Sequence, residues 1–282
     1  MQTSSILNFT KMHGAGNDFV ILDLRQSEMT PDPLLCSKLA DRHRGVGCDL
    51  ILGISHAASN DAVASYQIWT ADGLPSLQCG NGARCVASWL QRSRHVQSNK
   101  FIIESPSGLV EANIRSSGQV QISLPAPQFA ATEDFTQKLD LGAFGLQKSI
   151  IYQYFCVSTG NPHVVLEVDD LEATDVKAFG AAVQRSSQFP ASVCVGFAQR
   201  LSKRELALRV FEFGAGETLA CGTGACAAAA GFMKQGRLDR RAIVYLAGGD
   251  LCVSWAEGEE KIDLEGPAEF VFEGALQNAT VQ

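Results

Sequence analysis

The chain has 282 residues and a formal net charge of -7 at pH 7, with 46% hydrophobic and 19% charged residues. This composition is typical of a globular protein with an ample core and excludes an intrinsically disordered chain. The acidic balance argues against a nucleic-acid surface, and no apolar run approaches the roughly 20 residues of a membrane span. The expected partner is therefore a small molecule, with no nucleic acid and no membrane.

The nine cysteines are an odd number, and several of them, such as Cys156 and Cys252, lie in apolar stretches. Residues 1–10 show no signal-peptide pattern. We therefore expect reduced thiols in a cytoplasmic protein and no disulfide framework. No two cysteines have the C-x2-C spacing and the five histidines are scattered, so no metal site is expected.

Alternating and β-branched residues predict short strands along the whole chain, together with two helices. In the first half the predicted strands cover residues 19–22, 66–69, 101–104 and 120–124. A helix follows Cys79, and one of its faces carries Cys85, Val86, Trp89 and Leu90. In the second half the predicted strands cover residues 152–157, 163–168, 206–211, 243–246 and 269–272. The second helix, residues 225–233, is apolar on every side and ends near Gly236, as expected for a buried helix.

The two halves of the chain repeat each other. Cys79-Gly80-Asn81-Gly82-Ala83 recurs 142 residues later as Cys221-Gly222-Thr223-Gly224-Ala225. The stretch that begins Gly16-Asn17 recurs 144 residues later as Gly160-Asn161, and strand 66–69 falls opposite residues 208–211. Three matches in nearly one register indicate duplicated domains, since a solenoid has a much shorter period.

We therefore predict an α+β fold of two homologous domains, each a strongly curved, barrel-like β-sheet around a central α-helix, related by pseudo-two-fold symmetry. The first domain spans residues 1–125 and is completed by residues 268–282, and the second spans residues 126–267. The proline-rich stretch at residues 125–127 marks the boundary.

Each Cys-Gly-x-Gly motif places a cysteine directly before a helix. The positive helix end and its unpaired N–H groups should lower the pKa of such a cysteine from roughly 8.5 toward neutrality, and the glycines let an anion approach the amides. Two such motifs can place a thiol and a thiolate on opposite faces of one amino acid. The sequence thus predicts cofactor-independent inversion of a Cα centre by Cys79 and Cys221, with the charge that develops on the carboxylate stabilised by helix N-termini.

Other interpretations of the same residues explain less. The spacing Gly222-x-Gly224-x-x-Ala227 matches a dinucleotide fingerprint, but no strand runs directly into it. A cysteine hydrolase that uses His163 does not require a duplicated chain. Cys85 and Cys226, inside the helices, are interpreted as core thiols.

Long motifs resemble those of the diaminopimelate epimerase family over almost the whole chain. They are residues 9–19 (FTKMHGAGNDF), 78–85 (QCGNGARC) and 214–226 (GAGETLACGTGAC), with Asp41-Arg42-His43, residues 45–47 and residues 160–163. The resemblance implies two barrel-like domains, no metal or pyridoxal phosphate, and the two-cysteine mechanism. A homodimer is the candidate assembly. It also implies that the substrate is bound by Asn17, Gly80, Asn81, Asn161, His163, Gly222 and Thr223, with Glu212 near an amino group.

Four positions depart from the family pattern. The family has Gln, Asn, Asn and Arg where this chain has Leu50, Thr70, Cys194 and Phe213. In the family the two Asn and the Arg hold the distal carboxylate and amine of diaminopimelate. Because a buried charge-assisted partner contributes strongly to binding, losing this set should nearly abolish recognition of a second carboxylate.

The specificity pocket, formed by these four residues, is therefore predicted to accept an amino acid with an uncharged, less polar or aromatic side chain, histidine being one example. Two alternatives stay open. One is a diaminopimelate epimerase of lysine biosynthesis with a rebuilt distal site, and the other is a protein that binds an amino acid without turning it over. The paired cysteines argue against the second.

Overall fold

A computed structural model describes residues 6–27, 29–76, 79–129, 136–140, 142 and 151–277. The chain divides into two compact units. The first consists of Met1–Ile122 with Gly266–Gln282, and the second is Ser123–Glu265. Of the predicted C-terminal extension of the first domain, residues 278–282 lie outside the described residues, as does Gln78 of the first cysteine motif.

The elements follow one another along the chain as strands with few helices. The strands are β1 (Ile6–Gly14), β2 (Asn17–Asp23), β3 (Leu50–Ser55), β4 (Ala64–Thr70), β5 (Lys100–Ser105), β6 (Gly108–Ile114), β7 (Val120–Pro125), β8 (Gln128–Phe129), β9 (Gln137–Asp140), β10 (Ile151–Ser158), β11 (Pro162–Glu167), β12 (Cys194–Arg200), β13 (Glu205–Glu212), β14 (Gly216–Thr218), β15 (Arg241–Leu246), β16 (Gly249–Ser254), β17 (Lys261–Gly266) and β18 (Glu269–Gln277). The helices are α1 (Pro33–Ala40), α2 (Gly80–Arg92), α3 (Val176–Arg185) and α4 (Gly222–Lys234). No helix within the described ranges has the length and apolar character needed to cross a membrane.

In the first unit the sheet follows the chain order from β1 to β6. The pairs β1/β2, β3/β4 and β5/β6 are antiparallel, whereas β2/β3 and β4/β5 are parallel, and β18 pairs with the other side of β1. Helix α2 contacts both β1 and β6. Since neighbouring strands lie about 4.8 Å apart, one helix can reach strands so far apart in the order only if the sheet curls around it.

The second unit repeats this order with β10, β11, β12, β13, β15 and β16. The pairs β10/β11, β12/β13 and β15/β16 are antiparallel, and β11/β12 and β13/β15 are parallel. Helix α4 contacts all six of these strands, and its residues are buried from Gly222 to Met233. Small residues are needed on such a helix: a Cβ on Gly231 would lie 1.9 Å from Cε2 of Phe155.

The predicted α+β fold, with two domains that each wrap a curved sheet around one helix, is confirmed. Each predicted strand overlaps a strand of the structure. Helices α1 and α3 were not predicted, although both begin after an aspartate. Asp32 and Asp175 accept a hydrogen bond from the backbone N–H three residues on, and Pro33 occupies the first position of α1.

Candidate active site

Cys79 is the N-cap residue of α2. Its backbone is extended, with φ -150° and ψ 104°, and its Sγ accepts a hydrogen bond of 3.3 Å from the N–H of Gly82. On its other side the thiol donates to Oδ1 of Asn17, at 3.5 Å. The sulfur therefore has one partner that donates to it and one that accepts from it.

Cys221 has the same position in the second unit. It is the N-cap of α4, with φ -120° and ψ 109°, and its Sγ accepts from the N–H of Gly224 at 3.4 Å. The thiol donates to Oε2 of Glu212 at 3.1 Å and lies 3.5 Å from Oγ1 of Thr223. The duplicated motif thus gives a duplicated local geometry, with a cysteine at the start of each central helix.

In the second unit the residue whose N–H caps the thiol has little room for a side chain. A Cβ on Gly224 would lie 3.0 Å from Cγ2 of Val210 and 3.3 Å from Sγ of Cys221. A side chain there would push the helix start away from the sulfur. The first two positions of α2 and α4, whose N–H groups have no partner within the helix, are occupied by Gly80, Asn81, Gly222 and Thr223.

Burial raises the pKa of the Cys221 thiol well above its ordinary value, and the neighbouring carboxylate of Glu212 raises it further. The expectation that the helix start lowers this pKa is therefore wrong for Cys221. Its side chain lies in a fully packed environment, and removing water from a thiolate outweighs the favourable helix end. Cys221 is a neutral thiol at pH 7 and can act as a proton donor.

In the first unit Asn17 is held on both ends of its amide. Its Oδ1 accepts from Nδ2 of Asn81 at 3.2 Å, and its own Nδ2 donates to Oδ2 of Asp49 at 2.8 Å. Asn81 in turn accepts a 2.9 Å hydrogen bond from Nη2 of the fully buried Arg84. Neither Asp49 nor Arg84 was predicted as a site residue, although Arg84 lies in the motif at residues 78–85 and Asp49 lies two residues after the motif at residues 45–47.

In the second unit Asn161 joins two of the predicted site residues. Its Nδ2 lies 3.6 Å from Sγ of Cys194, and its Oδ1 lies 3.1 Å from Nε2 of His163. Because the amide oxygen only accepts, the proton of His163 is on Nε2. Burial lowers the pKa of His163 to about 4, so the ring is neutral at pH 7.

The four residues of the specificity pocket lie as two pairs, one in each unit. Leu50 and Thr70 are directly opposite on β3 and β4, and the Thr70 hydroxyl lies 3.0 Å from the carbonyl of Leu74. Cys194 accepts a hydrogen bond from the backbone N–H of Phe213, whose ring is 58% exposed. Phe213 directly follows Glu212, the partner of Cys221.

The remaining observations concern the thiols inside the two helices, a further partner of Glu212, and metal binding. Cys85 and Cys226 are fully buried within α2 and α4, which confirms them as core thiols. Thr218 on β14 donates a hydrogen bond to Glu212, a partner that was not predicted from the sequence. Among the described residues, no group of three or more His, Cys, Asp or Glu side chains is arranged to hold a metal ion.

Comparison with known proteins gives the family of this chain. The sequence profile described as "Diaminopimelate epimerase" matches residues 9–129 and 155–271. The chain is 49% identical over 285 residues to "O-ureido-serine racemase" of Streptomyces lavendulae, covering 100% of this chain and 99% of that protein. It is 46% identical over 275 residues to "Diaminopimelate epimerase" of Xanthomonas axonopodis pv. citri (strain 306), covering 96% of each.

Among solved structures, a hydroxyproline epimerase from Agrobacterium vitis has a TM-score of 0.71 at 13% identity, covering 98% of this chain and 93% of that chain. A PhzF-family protein from Bacillus anthracis has a TM-score of 0.70 at 18% identity, covering 96% and 99%. At these identities the likeness concerns the fold. The match of the family profile and the identity to two full-length relatives go further: the chain belongs to the diaminopimelate epimerase family and is an isomerase of the racemase and epimerase type.

Proposed function

We propose that this protein inverts the Cα centre of an amino acid without a cofactor, using Cys79 and Cys221 as its two acid–base groups. One sulfur, as thiolate, takes the α-proton and becomes a thiol, and the bonding electron pair moves into the carboxylate. The other thiol delivers its proton to the opposite face of Cα and becomes the thiolate. Charge and protons balance, and the reverse direction uses the same two groups with their roles exchanged.

The observation that carries this proposal is the pairing of partners at each sulfur. Cys79 lies between the donor N–H of Gly82 and the acceptor Oδ1 of Asn17. Cys221 lies between the donor N–H of Gly224 and the acceptor carboxylate of Glu212. A group that must act as acid in one direction and as base in the other needs a partner for both protonation states, and each sulfur has one.

The helix starts supply the electrostatic part of the proposal. The α-carboxylate gains negative charge as the proton leaves, and N–H groups at a helix N-terminus stabilise an anion. The amides of Gly80, Asn81, Gly222 and Thr223 are the proposed donors. Asn17, Asn161, His163 and Glu212 are proposed to hold the rest of the amino acid, with Glu212 serving the ammonium group.

We propose a substrate whose side chain is neutral and can form hydrogen bonds, with O-ureido-serine as the first candidate and histidine as the second. Thr70, Cys194 and Phe213 offer a hydroxyl, a thiol and an aromatic ring where the family has two amides and a guanidinium. The identity of 49% to a relative named "O-ureido-serine racemase" supports the same substrate class.

The second candidate function is epimerisation of diaminopimelate in lysine biosynthesis. It is supported by the 46% identity to the Xanthomonas enzyme. Under this alternative other residues must replace the missing guanidinium. The candidate outside the enzymes is a protein that binds an amino acid without turning it over. Under this alternative the two capped thiols have no role. The reaction needs reduced thiols, so a cytoplasmic location is part of the proposal, as is a homodimer.

The test is exchange of the α-proton in deuterated water, followed by proton NMR on the reduced protein without added cofactor. The substrates are O-ureido-L-serine, LL-diaminopimelate and each common L-amino acid including histidine. Cys79→Ala and Cys221→Ala are the controls, and both should lose inversion of the Cα centre, which chiral chromatography follows. The variant that keeps the sulfur facing the α-proton can still exchange it.

Exchange on O-ureido-serine or another neutral amino acid, with inversion lost in both variants, supports the proposal. Exchange on diaminopimelate alone overturns the substrate assignment and leaves the mechanism standing. Inversion that survives in either single variant overturns the two-cysteine mechanism. A protein that binds one of these amino acids, seen as a thermal shift, and exchanges none is the binding protein.

A further inference from the structure

A directional chain of hydrogen bonds runs through the first unit from Arg84 to Asp49. Arg84 donates to Oδ1 of Asn81 at 2.9 Å, Nδ2 of Asn81 donates to Oδ1 of Asn17 at 3.2 Å, and Nδ2 of Asn17 donates to Oδ2 of Asp49 at 2.8 Å. Every step points the same way. The chain has a cation at one end and an anion at the other, with two amides between them.

The two charged ends determine how both amides are oriented. A guanidinium only donates, so Asn81 must turn its oxygen toward Arg84 and its nitrogen toward Asn17. A carboxylate only accepts, so Asn17 must turn its nitrogen toward Asp49 and its oxygen back toward Asn81. The oxygen of Asn17 therefore also faces Cys79, with 3.5 Å between Oδ1 and Sγ.

Asp49 is itself held in place. Nη2 of Arg42 donates to Oδ1 of Asp49 at 2.7 Å, and the backbone N–H of Asp18 donates to Oδ2 at 3.2 Å. Arg42 also forms two hydrogen bonds to Asp18, whose carboxylate is paired with Lys11 as well. Asp18 and Asp49 meet because β2 and β3 run parallel from Phe19 and Leu50 onward.

We propose that Asp49 is a positioning residue for Cys79: it fixes the amide of Asn17 so that its oxygen, and not its nitrogen, faces the sulfur. Arg84 fixes the same orientation from the other end through Asn81. Cys79 thereby keeps an acceptor for its thiol form beside the Gly82 N–H that supports its thiolate form. With respect to turnover, the inference rests on the proposed function.

The test measures the rate at which iodoacetamide alkylates Cys79 as a function of pH in the ligand-free protein. Mass spectrometry of the peptide that contains Cys79 reports this rate. Asp49→Asn replaces one of the two acceptor oxygens by an NH2 donor. Because Arg42 only donates and holds the remaining oxygen, the NH2 group faces Asn17, whose amide then turns so that its oxygen faces the sulfur for less of the time. An acceptor hydrogen bond favours the thiol over the thiolate, so its loss should speed alkylation below the midpoint at least threefold and lower the midpoint pH. Asp49→Ser should behave in the same way.

Removing the negative charge of Asp49 also favours the Cys79 thiolate directly. A double-mutant cycle separates this effect of charge from the effect that acts through the Asn17 amide. Asn17→Leu removes the amide and leaves Asp49. In that background Asp49→Asn should change the alkylation rate by less than about 1.5-fold, because the amide through which it acts is gone. The matched control is Asp23→Asn, the same substitution at the end of β2 that lies far from Asn17. It should leave the pH dependence of Cys79 alkylation unchanged. Tyr66 and Cys85 also interact electrostatically with Cys79, and all variants retain them.

The inference is overturned if Asp49→Asn leaves the profile unchanged. It is equally overturned if Asp49→Asn accelerates alkylation as strongly in the Asn17→Leu background as in the native one, because Asp49 then acts by charge alone. The side chain of Asp49 is 45% exposed, so the substitution should not unfold the protein, and circular dichroism checks this. The measurement needs no substrate, so its result is independent of whether the racemase assignment holds.

Discussion

The thiol of Cys221 donates a hydrogen bond to Oε2 of Glu212 across 3.1 Å, and the carboxylate holds this thiol in its protonated form. Burial is the larger cause of the raised pKa, and the charge of Glu212 adds to it. Glu212 is also bonded to Thr218, so its position is fixed from two sides. The ionisation of Cys221 can therefore be altered without changing the cysteine itself.

Glu212→Gln should lower the pKa of Cys221, because the glutamine has no negative charge to oppose a thiolate. The midpoint pH for iodoacetamide alkylation of the Cys221 peptide should fall by about one unit, a tenfold change in thiolate fraction below the midpoint. Glu217→Gln, which removes a carboxylate paired with Arg209 in the same unit, is the control. A Cys221 midpoint that does not move would show that Glu212 has no influence on this thiol.

Restoring the family residues should restore recognition of diaminopimelate. The triple variant Phe213→Arg, Cys194→Asn and Thr70→Asn should raise kcat/KM for α-proton exchange on LL-diaminopimelate by at least about tenfold, since one charge-assisted pair contributes more than 1.4 kcal/mol. Phe213→Gln with the same two asparagines is the control, because it is polar but carries no charge. Equal activity of the two triple variants would contradict the assignment of position 213 to a distal carboxylate.

His163 should make the protein less stable as the pH falls. Its pKa is about 4 in the folded protein and 6.5 in an ordinary environment, so below pH 6.5 the unfolded chain binds a proton that the folded protein does not. The stability is complete above pH 6.5 and is lost as the pH falls toward 4. The free energy of unfolding should fall by about 2 kcal/mol between pH 7 and pH 5 from this group.

Urea unfolding of the native protein, His163→Gln and His56→Gln at the two pH values measures this loss. His56 is exposed and serves as the control. The His163 variant should lose about 2 kcal/mol less than the other two between pH 7 and pH 5. The same pH dependence in all three proteins would exclude His163 as its source.

Gly231→Ala should destabilise the second unit even though alanine is the better helix former. Its Cβ would lie 1.9 Å from the ring of Phe155, which packs edge-on against Phe232. Overpacking of this kind costs about 1–3 kcal/mol or more. Gly196→Ala, whose Cβ would lie no closer than 3.4 Å to any neighbour, should change the urea midpoint little. A Gly231→Ala protein as stable as the native one would mean that the ring of Phe155 moves aside freely.

The local parts of this structure could be predicted from sequence. The helix starts after Cys79 and Cys221, and the strands beside them, follow from short-range signals: alternation, a glycine-rich turn and an apolar run. The duplication predicted the rest of the architecture, because two homologous halves of a chain fold into two units of the same kind. Asp32 and Pro33 are a sequence signal for the start of the short helix α1. The hydrophobic pattern alone did not predict this helix.

The parts that depend on packing could not be predicted. Asp49 reaches Asn17, 32 residues away, only because β2 and β3 pair in parallel with one particular register. The pKa of Cys221 was predicted in the wrong direction because the sequence shows the helix end but not the depth of burial. Glu212 was named only through family resemblance, and nothing in the spacing of residues 212 and 221 indicates a hydrogen bond between them.

Each of the two proposed catalytic cysteines also caps the first turn of its own helix, because its sulfur accepts the N–H of Gly82 or Gly224. A thiolate accepts an N–H more strongly than a thiol does, so deprotonation tightens that turn and protonation loosens it. In the proposed reaction the proton gained by one cysteine is matched by the proton lost by the other. Every turnover would then stiffen one helix start and relax its counterpart, and amide hydrogen exchange at Gly82 and Gly224 would follow this change.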